Sequence, residues 1–530
     1  DVTNSGPGAA TLTFTTSTFG THNMNGDILE TDLARQISIV MAGLPGLQQH
    51  LHGHSTYTGG TTITSGILGF GFGDSFGFGL VTLNGGEMLA TGSGLNLANN
   101  IDVTANSTIV VNSTTLSGQI TGAAPFTITK NGSSILTLTG DNSGFNGGFN
   151  VNGGSGFGTV FVGTTNALGS SLATFTSTTA GRISVAAGVT NATLANNFNL
   201  GGTLTIVAAA TDSIALTGDI TSSSGINLGT TSTTNMGTVY LSGNNAGFTG
   251  TLWVIDTATV GVGSNSALGT QAVQIKEDAT LLAMVGGLTI ANGLTVGGAG
   301  GDRFLTVDTN GNDLTLNGPI NNSTAANKGG LVKVGAGTLF LTNTAGTYSQ
   351  GTQINGGAIS VSTGAALGVG GTALGFDGGT LQVTGTSFNT TNRPITLNAG
   401  GGGFDVADAS NIFDLTAIIG GSGGLTKLGA GTLQLSAANV FTGSSTVSAG
   451  TLALANSDGF GTGGLVTLAG GTLQANAANL DLALDVTLAG GTIDTNGNTF
   501  TLSGAIDGSA DLVKNGAGVL VLAGVGNSYG

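Results

Sequence analysis

Several residue types are absent from this chain of 530 residues or scarce in it. It has no cysteine, which excludes disulfides and thiolate metal sites and avoids unwanted thiol oxidation in an oxidising compartment. Charged residues make up only 7% of the chain, against about 25% in ordinary globular domains. Five prolines without a G-X-Y period exclude collagen. The hydrophobic fraction of 39% is nevertheless normal, so the composition does not indicate disorder.

Basic residues are the scarcest charged class. Ten lysines and arginines stand against 26 acidic residues, and the formal net charge is −16. This balance opposes nucleic-acid binding, which relies on cations that neutralise phosphates, and it opposes docking on anionic membranes. No apolar run reaches the roughly 18 residues of a membrane helix, so we expect no membrane insertion. The chain starts at Asp1 without methionine or a signal peptide, and we expect a processed product or a slice of a longer chain.

Glycine, with 99 residues, is abundant and sets the local structure. The stretch Gly329–Val361 reads GGLVKVGAGTLFLTNTAGTYSQGTQINGGAISV. Short runs of alternating small and apolar residues predict strands of three to five residues. Each run ends in a glycine-containing corner, where glycine can adopt the positive φ that a sharp turn requires. No segment of this stretch is long enough for a helix, which favours an all-β fold.

The same pattern recurs elsewhere. Related stretches are Phe126–Val151, Gly423–Leu454, Asp511–Gly530 and a weaker copy, Met236–Val254. The pattern resembles the autotransporter passenger-associated strand repeat of bacterial surface proteins. The residues that carry the resemblance, with their counterparts in the other copies, are Leu331, Lys333, Gly335, Gly337, Leu339, Leu341, Tyr348 and Gly351. The resemblance implies a right-handed parallel β-helix exported to the cell surface, and it transfers no catalytic residues.

Three sequence markers repeat at intervals of about 95 residues. The first is an aromatic residue, at Tyr57, Phe145, Phe248, Tyr348, Phe441 and Tyr529. The second is an isoleucine step, at Ile28, Ile120, Ile220, Ile320, Ile418 and Ile506. The third is a glycine, at Gly77, Gly169, Gly269, Gly368 and Gly461. We therefore predict an all-β, right-handed parallel β-helix (β-solenoid) with super-repeats of about 95 residues. A coil of about 20–25 residues predicts roughly 22–25 coils.

The domain organisation follows from the same markers. Residues 57–530 are predicted to form a continuous solenoid of passenger-associated strand repeats. Residues 1–56 are predicted to be an irregular N-terminal part with a degenerate repeat that lacks the lysine half of the pattern. Within it, ETDLARQ at Glu30–Gln36 predicts a loop or short helix, whereas Thr11–Thr16 predicts a strand in the repeat frame.

Three of the four histidines, His50, His52 and His54, form the candidate metal site. Their i, i+2, i+4 spacing places them on one face of a strand, with Leu51 and Gly53 facing inward. Two histidines spaced in this way can chelate a divalent metal. No carboxylate lies close in sequence, so we favour a solvated polar row and predict no metal and no other cofactor.

Other candidate sites also have structural interpretations. Gly297–Phe304 matches one calcium nonapeptide, and Asp308–Asp313 offers oxygen ligands, but both are predicted to be corner loops. Four of the six lysines occupy one position of the repeat and are predicted to bind corner carbonyls: Lys130, Lys333, Lys427 and Lys514. Four phenylalanines could form a ligand platform, but we favour packing, with Phe70 and Leu68 in the core: Phe70, Phe72, Phe76 and Phe78.

The function hypotheses follow from these patterns. Acidic residues are scattered, and no nucleophile, phosphate loop or zinc motif appears, so we predict no enzyme and no catalytic residues. The first hypothesis is a structural protein that forms a rod or fibre at the bacterial surface. The alternative is an adhesin that binds host, glycan or neighbouring-cell surfaces, and a glycan-active enzyme is less favoured. Expected partners are other copies, head to tail or laterally, or other surface components.

The two ends of the chain carry no clear cap, which a solenoid needs to protect its terminal coils. The sequence opens inside the repeat frame and stops at Tyr529-Gly530, where the other copies continue into a threonine-rich strand. We therefore expect the solenoid to continue, either within a longer chain or into a second copy as a head-to-tail filament.

Overall fold

A computed structural model of the chain describes residues 2–3, 8–15, 20–154, 156–175, 180–230, 236–298 and 301–530. The protein is all-β, a parallel β-solenoid of about 23 turns, as the sequence predicts. Three 3-10 helices lie in these ranges, Leu33–Arg35, Asn245–Gly247 and Gly364–Leu367. The first confirms the short helix expected in ETDLARQ. No helix in the described ranges has the length and apolarity that crossing a membrane requires.

The chain divides into two units, Asp1–Gln271 and Ala272–Gly530. In the first unit the longest sheet contains Thr21–Met24, Gln48–Leu51, Ile67–Phe70, Glu87–Ala90, Ser107–Val110, Thr127–Asn131, Gly148–Asn152, Ala173–Phe175, Phe198–Leu200 and Ile220–Thr221. A second contains Asn96–Leu97, Thr114–Leu116, Leu136–Leu138, Phe157–Val162, Ala180–Val185, Leu204–Val207, Ile226–Leu228 and Leu252–Val254. A third contains Ala10–Phe14, Ile37–Ala42, Thr61–Ser65, Val81–Asn84, Ile101–Ala105 and Ile120–Gly122. The remaining strands are Asn191–Leu194, Ser213–Leu216, Thr238–Leu241 and Thr259–Val262, and the pair Val2–Thr3 with Ile28–Leu29.

The second unit is built in the same way, and we name its three longest ladders. Ladder A contains Ala279–Ala283, Arg303–Asp308, Gly329–Val334, Thr352–Ile354, Leu374–Phe376, Ile395–Leu397 and Ile419–Gly421. Ladder B contains Leu288–Ile290, Leu314–Leu316, Thr338–Leu341, Ala358–Val361, Thr380–Val383, Gly402–Val406, Leu425–Leu428, Ser445–Val447, Val466–Leu468, Val486–Leu488, Ile506–Gly508 and Ser528–Tyr529. Ladder C contains Thr390–Thr391, Ile412–Leu415, Thr432–Leu435, Thr451–Leu454, Thr472–Ala475, Thr492–Asp494 and Lys514–Asn515. The other strands are Val273–Ile275, Leu294–Val296, Ile320–Asn322, Leu480–Leu482, Thr499–Leu502 and Val519–Leu522.

Stacked apolar side chains form the core. In ladder C, Phe413, Leu433, Leu452 and Leu473 pair in register, and all four are fully buried. Their neighbours in the strands point outward, because successive side chains of a strand alternate between its two faces. Leu433 is therefore an inward residue, as its pattern predicts. Each coil buries its apolar face against the coils on either side, which is how short strands become stable.

The aromatic and glycine markers belong to one recurring corner. Tyr57 is fully buried, and Gly77 of the next coil lies against its carbonyl oxygen with φ +59°. The N–H of Phe78 donates to that oxygen at 2.9 Å. A Cβ atom at Gly77 would lie 2.2 Å from the same oxygen, so only glycine fits there. The geometry recurs at Phe145 with Gly169 and Ser170, Phe248 with Gly269 and Thr270, Tyr348 with Gly368 and Val369, and Phe441 with Gly461 and Thr462.

The super-repeat of about 95 residues remains a prediction. In the second unit, the strand register places successive copies of the pattern in different ladders. From Lys333 in ladder A, four turns lead through in-register partners to Gly421. The next copy's Lys427 lies one strand further on, in ladder B, and four turns from it lead to Gly508. Lys514 then lies in ladder C. Each copy therefore spans four turns plus one strand, and equivalent residues move to the next ladder.

One isoleucine marker is assigned to the wrong one of two adjacent residues. Ile418 is 59% exposed, whereas Ile419 is buried and its N–H donates to the Asn439 side chain at 2.8 Å. Ile120 and Ile220 make the same bond to an asparagine of the following coil, so Ile419 is the equivalent residue. Two adjacent isoleucines hide this in the sequence, because spacing alone does not tell which one faces inward. The division of the chain at residues 1–56 and 57–530 stays a prediction.

Candidate functional site

The histidine row lies at the end of the strand Gln48–Leu51 and in the corner after it. Leu51 and Gly53 are buried between the histidines, as the alternating pattern predicts. Glycines of the next coil make room for the rings. A Cβ atom at Gly69 would lie 2.5 Å from His50 Cδ2, and one at Gly71 would lie 2.5 Å from His52 Nδ1. The GFGFG sequence thus provides the space for the histidine row, which the sequence analysis did not recognise.

A carboxylate from the next coil completes a cluster around His54. Both carboxylate oxygens of Asp74 lie 2.9 Å from His54 Nδ1. The His54 ring stacks on Phe72, with ring centroids 4.2 Å apart. Asp27, from the preceding coil, accepts the backbone N–H of His54 at 2.7 Å. The expectation that no carboxylate lies near this row holds for sequence distance only, because Asp74 is 20 residues away and one coil of the solenoid brings it back.

His50 differs from its neighbours in its environment. Its ring centroid lies 5.8 Å from that of His52, in an edge-to-face arrangement. Nε2 of His50 is buried without a hydrogen-bond partner among the described residues. Burial, and then the charge of His52, lowers the pKa of His50 below its ordinary value. In the described ranges, no three or more His, Cys, Asp or Glu side chains are grouped to hold a metal ion. The absence of a metal at His50, His52 and His54 stays a prediction.

The four phenylalanines divide between core and surface. Phe70 and Phe76 are fully buried, with ring centroids 5.2 Å apart, which confirms packing for these two. Phe72 is 40% exposed and Phe78 is 69% exposed, so the packing prediction is wrong for them. The strand Ile67–Phe70 ends before Phe72, and strand alternation therefore no longer directs that ring inward. Phe72 and Phe78 consequently place aromatic rings at the surface of the first unit.

Three of the four repeat lysines, Lys130, Lys333 and Lys427, are buried in the core ladders, and their amines reach the corners. Lys333 pairs in register with Val307 and Ile354 and is fully buried. Its Nζ donates to the carbonyls of Val334, Gly335 and Gly356 at 2.8, 2.7 and 3.1 Å. Burial lowers the pKa of Lys333 to about 8, as it does for Lys130 and Lys427. The predicted contact between the lysine and the corner carbonyls is confirmed. Lys427 makes the same contact, with Leu428 and Gly429 of its own corner and Ala449 of the following coil.

Lys514 occupies the same position but is exposed. Its Nζ donates to Asn515 and Gly516 of its own corner, at 3.4 and 2.8 Å. Lys333 and Lys427 gain a third carbonyl from the following coil, at Gly356 and Ala449. In Lys333 and Lys427 this third bond links one coil to the next.

The described carboxylates of the two calcium-like segments bond within the protein. Asp302 accepts the N–H of Lys328 at 2.8 Å, and its other oxygen accepts from Gln350. In the second segment, Asp308 and Asp313 accept backbone N–H groups at 2.8 Å each. These carboxylates thus bond to the protein itself, as predicted for loops. Residues 299 and 300 of the nonapeptide match lie outside the described ranges.

Comparison with known proteins identifies the repeat. Five segments match the Passenger-associated-transport-repeat family (PATR), residues 49–69, 128–155, 331–361, 425–454 and 512–530. These segments are passenger-associated transport repeats, which confirms the resemblance. The segment 49–69 contains Tyr57 but no lysine, in agreement with a copy that has lost its lysine half. The weaker copy at Met236–Val254 is not among the matched segments.

The chain is also similar to a curated adhesin. Over 266 residues it is 34% identical to the adhesin BmaC autotransporter of Brucella suis biovar 1 (strain 1330). The match covers 47% of this chain and 8% of that protein, so the chain spans a small part of its relative's length. No solved structure matches the chain.

Proposed function

We propose that the chain is a segment of an adhesive autotransporter passenger that is exposed outside the bacterial cell. The observation that carries this proposal is the 34% identity over 266 residues to a protein named as an autotransporter adhesin. The five passenger-associated repeats support export to the surface. This is the alternative of the sequence analysis, and the relative's name supports it better than a purely structural rod or fibre.

The structure is compatible with a binding role. Its corners and outer faces present threonine, serine and asparagine side chains, and Phe72 and Phe78 add exposed aromatic surface. Exposed aromatic rings are enriched where proteins bind partners. The repeat lysines and the aspartates of the calcium-like segments bond within the fold, since the lysines hold corners and the aspartates accept backbone N–H groups. We therefore propose binding rather than catalysis.

Display of the chain on a non-adherent bacterium tests the function. Bacteria that carry the chain are expected to adhere to epithelial cells or to immobilised matrix glycoproteins more than bacteria that carry an unrelated β-solenoid of similar length. Purified chain added to the medium is expected to compete with this adherence. Surface display without any gain in adherence, across several cell types and matrix glycoproteins, would contradict the proposal.

A further inference from the structure

A groove of about 690 Å³ lies within the second unit, a volume in the range of ligand sites. One side is formed by the 3-10 helix Gly364–Leu367 and the glycine-rich turn after it, and the other by residues 388–393. Phe388 packs on Phe413, with ring centroids 4.7 Å apart, and anchors that second side to the core. The groove is therefore supported by packed elements on both sides.

Arg393 lies in the wall of this groove and is only 4% exposed. Nη1 donates to the carbonyls of Val369 and Thr372 and to the Thr372 hydroxyl, at 2.9, 3.2 and 2.5 Å. Nη2 donates to the carbonyls of Gly364 and Gly368, at 3.0 and 2.9 Å. A guanidinium remains charged at neutral pH even though burial lowers the pKa of Arg393. Arg393 makes no ion pair within the described residues.

A neutral side chain fills the equivalent position in the first unit. Asn196 donates to the carbonyls of Gly169, the corner glycine, and of Ser171, at 3.2 and 2.6 Å. Asn99 does the same at Gly77. The corner thus needs hydrogen-bond donors but not a charge, since an asparagine satisfies it. The positive charge of Arg393 is an addition specific to this groove.

The charge is balanced by the carbonyl and hydroxyl oxygens that accept its hydrogen bonds, and not by a carboxylate in the groove. None of the residues that line the groove is acidic, although the chain has 26 acidic and only ten basic residues. A charge held in a wall of low dielectric acts more strongly on a neighbouring ligand than one in water. The groove is therefore an electropositive concavity on an acidic protein. It favours a ligand with a negative group.

The exposed walls define the rest of the ligand. Thr344, Thr390 and Thr416 present hydroxyls, Asn392 presents an amide, and Val369 is 45% exposed. Hydroxyls and an amide match the alternating donors and acceptors of a sugar, and Val369 offers a small apolar contact for its C–H groups. A peptide would need deeper apolar pockets for its side chains. We propose that this groove binds an acidic saccharide, with the carboxylate held on the side of Arg393. The proposal rests on the adhesive function and names its ligand class.

Negative charge added at the groove rim tests the proposal without altering the core. The variant Thr390→Asp/Asn392→Asp adds two negative charges at exposed positions. The control Thr462→Asp/Ser503→Asp adds the same charge at exposed positions of the same unit that do not line the groove. The full chain is applied to an array of paired glycans, with and without terminal sialic acid, together with oligogalacturonate and its methyl ester. A polyglutamate peptide serves as the acidic non-saccharide.

The expected result is binding to the carboxylated member of a pair and not to its neutral partner. The sialylated glycans and the oligogalacturonate distinguish sialic acid from uronic acid as the source of the carboxylate. The rim variant is expected to bind about tenfold more weakly, the control to bind like wild type, and salt to weaken wild-type binding. Equal binding of neutral partners, equal binding of polyglutamate, or equal loss in the control would overturn the proposal. Adherence to cells without acidic-saccharide binding would overturn it and leave the adhesive function standing, whereas the absence of both would contradict the function itself.

Discussion

Replacement of Lys427 by methionine tests the role of the buried lysines. Methionine fills the ladder between Phe404 and Val447 but leaves the carbonyls of Leu428, Gly429 and Ala449 without their donor. A hydrogen bond to a charged group contributes about 1.5–3 kcal/mol, and an unpaired buried acceptor costs about 1–3 kcal/mol. Relief from burying the ammonium offsets part of this loss. We expect the corner to be destabilised by about 2–4 kcal/mol.

The assay must be local, because a solenoid does not unfold as a single cooperative unit. Hydrogen exchange followed by mass spectrometry measures the opening of residues 425–454 in the full chain. A loss of 2–4 kcal/mol corresponds to exchange that is about 30- to 700-fold faster in this segment. Lys514→Met is the matched control, since Lys514 occupies the same position but is exposed, and we expect a change within about 0.5 kcal/mol. Unchanged or slower exchange in Lys427→Met, or equal effects in both variants, would refute the reasoning.

Three further predictions concern the core, the histidine row and metal. Leu433→Asp places a carboxylate in a fully buried ladder and is expected to prevent folding or secretion at a cost of several kcal/mol, so a soluble, protease-resistant variant would contradict the inward position of Leu433. Because the pKa of His50 is lowered below 6.5, the unfolded chain binds this proton more readily, and the free energy of unfolding is expected to fall as pH drops below about 6.5. Hydrogen exchange of the strands Gln48–Leu51 and Ile67–Phe70 in wild type and His50→Asn at pH 7.5 and 5.5, corrected for the intrinsic pH dependence of exchange, checks this for the local opening of these coils, and an equal pH dependence in both would refute it. EDTA is expected to leave the β-sheet circular dichroism and the thermal midpoint unchanged, and a large drop in the midpoint would indicate that a metal stabilises the fold.

Much of the candidate-site chemistry could be predicted from the repeat itself. The lysine position recurs with the same glycines around it, and recurrence without a catalytic partner indicates a structural contact, which the carbonyl bonds of Lys333 confirm. The inward and outward faces of the histidine row followed from strand alternation, which is a local property. The exposed Phe72 did not, because the strand ends at Phe70 and alternation no longer applies beyond it.

The cluster at His54 and the groove at Arg393 could not be predicted in the same way. Both depend on which residues of successive coils lie side by side, as with His54 and Asp74 or Arg393 and Gly368. Coil length varies with each corner, so the register between coils accumulates differences that spacing does not reveal. A partial signal existed in GFGFGD, since its glycines and aspartate lie about one coil after the histidines.

By itself, the sequence determined the class of structure. Its glycine corners, short alternating strands and repeated pattern permit little other than a parallel solenoid, because each strand is too short to be stable without a stacked neighbour. Only the tertiary structure decided where the chemistry lies. Coil-on-coil register shifts successive copies from ladder to ladder, pairs His54 with Asp74, and places a buried guanidinium that has no carboxylate partner among the described residues beside an open groove. These features arise from stacking between residues about one turn apart, and such contacts exist only once the coils are wound.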